Sequence, residues 1–179
     1  MSLASALQAD RDRRIEAAAD LYEAVLSEQP TSLVALVNLA VLYWRATECG
    51  FSAGLGLDLA LIARAGRRLP QVLAEARQLH PQSTEVRFWE RYIAWADLGE
   101  PFAIEECEAL LRHAPSVLVP AMYLFAISHG ERYEKEARDL LRECLEDQTV
   151  RARYIASVIE GVLKRAAWSR FHSRPQPRT

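Results

Sequence analysis

The sequence predicts an all-α protein, and three observations carry that prediction. Alanine, leucine, arginine and glutamate, all strong helix formers, dominate the 179 residues. Apolar residues recur at intervals of three and four along most of the chain, the period of a helix with one buried face. Seven glycines and few runs of β-branched residues leave little material for the turns and strands of a sheet.

In chain order, residues 2–28 read as helical, with a solvated Arg-Asp stretch at 10–14 and a sharper stripe from Ile15 through Ala18, Ala19, Tyr22, Val25 and Leu26. Pro30 ends that segment, and Thr31 or Ser32 caps the next, about 33–47. The stretch 49–56 holds three glycines and reads as a loop. Helical pattern resumes at Leu57 and runs to Arg68. Pro70 has no N–H to give a helix interior, so a separate short helix is predicted from there to Leu79. Helices follow over 83–98, up to His113, over 117–129, up to Thr149 and over 150–168. The helix at 83–98 carries Phe88, Trp89, Tyr92, Ile93, Trp95 and Ala96, which core packing explains best. The helix at 150–168 buries Ile155, Val158, Ile159, Val162 and Ala166. Residues 170–179 are basic, contain Pro175 and Pro177, and are predicted to be a disordered tail.

A fixed period organises these elements. Pro81 and Pro115 stand 34 residues apart, and Thr149 lies another 34 beyond. The same offsets upstream carry Leu69, Leu73 and Ala76, then Ala103, Cys107 and Leu110, then Ala137, Leu141 and Cys144; Ala18, Tyr22 and Val25 precede Pro30 likewise. Pro30 and Pro81 are 51 residues apart, an excess of seventeen that one inserted helix and a loop within about 49–70 account for.

The segment Leu36-x2-Leu39-Ala40-x2-Tyr43, with Asn38 before Leu39 and the Ala18, Tyr22, Val25, Pro30 spacing ahead of it, resembles the tetratricopeptide repeat (TPR), a 34-residue helix pair. The resemblance implies a right-handed α-solenoid of about four TPR-like hairpins, with one irregular inserted helix and a C-terminal capping helix, in a single domain over 1–169. It also implies a non-catalytic adaptor, scaffold or chaperone that holds a peptide or helical segment of a partner protein in a concave groove. The first helix of each pair would line that groove, offering Val34, Val37, Asn38, Val41, Trp44 and Arg45, then Arg91 and Trp95, then Met122 and Tyr123. Asn38 would clamp the peptide backbone. The apolar Val34, Val37 and Val41 favour an apolar or helical segment over a charged carboxylate. Self-association as a homodimer through Trp44, Trp95 or the last helix is the alternative. Nucleic acid is a third option, against which a net charge of −2 and the lack of a periodic basic stripe both weigh.

No catalytic, cofactor or metal constellation stands out. His80, His113, His129 and His172 contain no pair three or four residues apart, and His80 and His113 suit helix C-termini. Cys107 and Cys144 sit at core positions, leaving Cys49 without a base to activate it. Gly50, Gly54 and Gly56 lack the Lys-Ser/Thr ending of a phosphate loop. Three scattered cysteines and the absence of a long apolar run or leader predict a cytoplasmic protein with no membrane insertion. The predominance of arginine over lysine is consistent with a bacterial, GC-rich source.

Overall fold

A computed structural model describes residues 2–172, those of 169–172 by their backbone alone. They form ten helices: α1 (Leu3–Arg11), α2 (Ile15–Glu28), α3 (Leu33–Thr47), α4 (Cys49–Leu55), α5 (Leu59–Leu79), α6 (Thr84–Leu98), α7 (Ile104–His113), α8 (Val119–Ile127), α9 (Glu134–Asp147) and α10 (Val150–His172). No strand occurs among the described residues.

Four local features depart from the sequence reading. The first helical segment is two helices, reversed at Arg13, whose left-handed backbone (φ 59°) lets the Arg14 N–H reach the Ala9 carbonyl at 2.9 Å. The glycine-rich stretch is the short helix α4, not a loop. It ends only at Gly56, in the left-handed region. Within it the buried Ser52 hydroxyl donates to the Glu48 carbonyl at 3.0 Å. Pro70 neither starts a helix nor breaks one; α5 runs through it. The carbonyl that loses a donor belongs to Gly66, and both residues are exposed, so water can satisfy what the missing N–H leaves open. Finally, α10 continues to His172, so the predicted tail overlaps a helix at 170–172, and residues 173–179 lie outside the described residues.

The 34-residue period appears in the backbone. Helices α5, α7 and α9 end at Leu79, His113 and Asp147, each 34 residues from the last. Gln29, His80 and Ala114 close α2, α5 and α7 in one conformation, φ between −132° and −136° and ψ between 58° and 80°. Each donates its N–H four residues back, to Val25, Ala76 and Leu110. The proline that follows each of them disfavours the helical conformation at the preceding residue, and here the chain leaves each helix in the same way. Where Thr149 replaces proline, the cap at Gln148 is left-handed instead (φ 59°). The Thr149 hydroxyl then donates to Asp147 Oδ2 at 2.9 Å and accepts the Ala152 N–H at 3.3 Å, starting α10.

Successive helices pack on one another: α1 on α2, α2 on α3, α3 on α5, α5 on α6, and so on through α9 on α10, while α4 leans on α3. A second set of contacts links alternate helices, α3 with α6, α6 with α8 and α8 with α10. The set then closes, because α10 also packs on α3. Helices α3 and α8 are surrounded as a result. Every residue of α3 from Ala35 to Trp44 is buried, as is every residue of α8 from Val119 to Phe125. A helix apolar on all sides needs neighbours on all sides.

The first and last helices meet at a buried carboxylate. Asp10, fully buried near the end of α1, accepts the Val150 N–H at 2.7 Å and the Tyr22 hydroxyl at 3.0 Å. It thereby caps the first turn of α10, where an acceptor offsets orphan donors and the positive end of the helix dipole. Around it, Arg11 donates to the Asp147 carbonyl at 2.8 Å, and Arg153 donates to the Arg11 carbonyl at 2.5 Å.

Candidate functional site

The ten residues assigned by resemblance to a concave groove do not form one. Val37, Asn38, Val41 and Trp44 of α3, with Met122 and Tyr123 of α8, are all buried. Helix α10 occupies the space they were to line. The Tyr154 ring of α10 stands 4.9 Å from that of Trp44 and 6.3 Å from that of Trp89, and its hydroxyl meets the Tyr92 hydroxyl at 2.6 Å. Trp44 also donates its indole N–H to the Asp97 carboxylate at 3.0 Å. Tyr123 donates to the Phe102 carbonyl at 2.7 Å. Asn38 clamps nothing: its side chain is buried and its Oδ1 has no hydrogen-bond partner.

The other four lie elsewhere. Val34 is exposed near the start of α3. Arg45 lies in a cleft between α4 and α10, ion-paired with Glu48 and over the rings of Tyr154 (4.8 Å) and Phe51 (5.0 Å). Arg91 binds Glu106 at 2.9 Å and the Pro101 carbonyl at 2.5 Å, holding the α6–α7 connection. Trp95 is 39% exposed, but its inner face packs on Tyr92 and Tyr123 at 5.5 and 5.2 Å.

The structure instead opens an apolar groove of about 730 Å³ between the second half of α5 and α6. Leu69, Pro70, Leu73 and Ala74 form one wall, and Ile93, Ala94 and Leu98 the other. Arg77, Glu90 and Asp97 supply its polar groups, with Arg77 donating to Glu90 at 2.9 Å across one end. Ala74 and Ala94, small residues on the two facing helices, leave space between them. Leu98, 74% exposed, is the most prominent apolar side chain at its edge. The sequence carried a usable signal. Leu69 and Leu73 occupy the offsets where Ala18, Tyr22, Cys107 and Ala137 are core, yet Pro70 lies between them, where a fully packed helix face would not tolerate it.

Cys107 and Cys144 are buried, and burial pushes each thiol up to about 12, leaving it protonated and inert. Cys49 is exposed. Among the described residues, no three His, Cys, Asp or Glu side chains are grouped to hold a metal ion, and no helix is long and apolar enough to cross a membrane. No protein-family model matches the chain, and comparisons with curated proteins and with solved structures return no significant similarity.

Proposed function

We propose that this chain is a non-catalytic protein-interaction module, a short TPR-like array of about four helical hairpins whose last helix folds back on the second pair. Its partner is a protein that offers an apolar segment, helical or extended, to the groove between α5 and α6. One observation carries this reading: an open apolar groove of about 730 Å³, edged by charges of both signs, in a chain whose most apolar helices, α3 and α8, are enclosed by its own elements. Apolar pockets with a few directing polar groups are the usual places where proteins take ligands and partner side chains. The recurring helix ends and matched caps support the repeat reading, and α4 supports the inserted helix.

A random peptide library displayed on phage and selected against the folded chain tests it. Selected peptides should share apolar residues at helical or alternate spacing. They should bind Ala94→Glu at least tenfold more weakly, about 1.4 kcal/mol, while circular dichroism shows the fold intact. Peptides that bind Ala94→Glu equally well, or a selection that enriches nothing, would refute the groove. A second copy of the chain as the occupant would show in light scattering as a dimer that Ala94→Glu dissociates.

A further inference from the structure

A second cleft, of about 580 Å³, lies on another part of the molecule, where α4 faces α10 and the α1–α2 turn meets the end of α9. Three arginines reach it from three separate elements: Arg13 from the turn, Arg45 from α3 and Arg153 from α10. One carboxylate, Glu160, shares the lining, although the whole chain carries a net charge of −2.

Two of these guanidiniums have no carboxylate partner among the described residues. Arg13 has no ion pair among the described residues. Arg153 has none either; it donates Nη2 to a backbone carbonyl, and its Nη1 is buried without an acceptor. Burial, and then repulsion from Arg13, hold the Arg153 guanidinium below its ordinary value, so the two cations disfavour each other. Arg45 is paired with Glu48 and held over the rings of Phe51 and Tyr154. Between the charges the wall is apolar, supplied by Ile15, Phe51, Leu55 and Leu145. Arginine forks recognise carboxylate and phosphate oxygens in pairs, and they do so most strongly where water is partly excluded.

We propose that this cleft binds a small organic anion, a carboxylate or phosphate monoester on an apolar body, with Arg13 and Arg153 holding the charged end and Phe51 and Leu145 covering the rest. The site is separate from the α5–α6 groove, and the two stand or fall independently. Occupancy would join α4 to α10 and to the turn after α1, tightening the contact between the first and last helices.

Calorimetric titration of the full chain with 3-phenylpropionate and with phenyl phosphate tests the site. The neutral amide of the acid and inorganic phosphate serve as controls. Both organic anions are expected to bind, the tighter of the two naming the head group, and the amide at least about tenfold more weakly. Arg13→Gln, on an exposed turn, and Ser157→Glu, which adds a carboxylate at the exposed rim, should each weaken both anions by about tenfold or more. Failure of both anions to bind would overturn the proposal. So would affinities unchanged in the two variants, or inorganic phosphate binding as tightly as its phenyl ester.

Discussion

Asp10 should make the fold weaker as pH rises from about 4 to about 7, the reverse of the effect of most carboxylates. Burial is the chief cause, and it pushes the group up from 3.8 to about 6 against the hydrogen bonds from Val150 and Tyr22 that favour its charge. Between those two values the folded chain holds a proton that the unfolded chain has already released. The folded state thus binds more protons, and raising the pH favours unfolding. The contribution is fully present below 3.8 and is lost as pH rises through about 6. The gap corresponds to about 3 kcal/mol in all, of which about 2–3 kcal/mol falls between pH 4 and pH 7. Glu108, held low by the Tyr133 hydroxyl and then by Arg132, and Asp139, held low by Lys135, act in the opposite sense at lower pH. A variant is therefore needed to isolate Asp10. Asp10→Asn keeps an acceptor for the Val150 N–H and removes the charge. Guanidinium unfolding at pH 4, 5, 6 and 7 should show the wild type losing about 2–3 kcal/mol relative to Asp10→Asn over that range. A difference between the two that stays flat within about 0.5 kcal/mol would show that the carboxylate is not buried as described.

Further predictions address packing. Ala40→Leu places a branched side chain where α3 is already enclosed, and should cost about 1–3 kcal/mol in a thermal or chemical melt. Trp44→Ala should cost about 3–5 kcal/mol, because the ring fills the space between α3, α6 and α10. Gly130 has φ 87°, and a Cβ there would meet Val162 Cγ1 at 3.2 Å, so Gly130→Ala should destabilise by about 1–3 kcal/mol. Pro70→Ala restores a donor to the exposed side of α5 and should stabilise by about 1–3 kcal/mol, read as a higher denaturant midpoint.

The helices and their period were legible because both are local. Proline at 30, 81 and 115 dictates the conformation of the residue before it, and the structure closes three helices in that one way. The burial of Cys107 and Cys144 and the positions of His80 and His113 at helix ends follow from the same spacing. Pro70 and the glycines of α4 misled because their effect depends on where water can reach: an exposed proline is tolerated, and a glycine in a short helix braced by α3 costs little. The site was harder to see. Which faces of α3 and α8 stay open depends on where α10 goes, and its contact with α3 joins residues more than a hundred apart in sequence, Trp44 and Tyr154. Even so, Ala35 to Trp44 has almost no polar face, and a helix of that kind points to enclosure on all sides. Tyr154, the residue that does the enclosing, lies outside the apolar stripe that marked α10 and gave no signal of its own.

The return of α10 to α3 also changes what lengthening the chain would do. In a linear stack, duplicating one unit adds a further storey and leaves the rest alone. Here the floor and the roof are joined, through Asp10 and Val150 on one side and Trp44 and Tyr154 on the other. A helix pair inserted between α3 and α10 would force that seam apart and strip two aromatic helices of their cover, so the number of helices between them is set by closure.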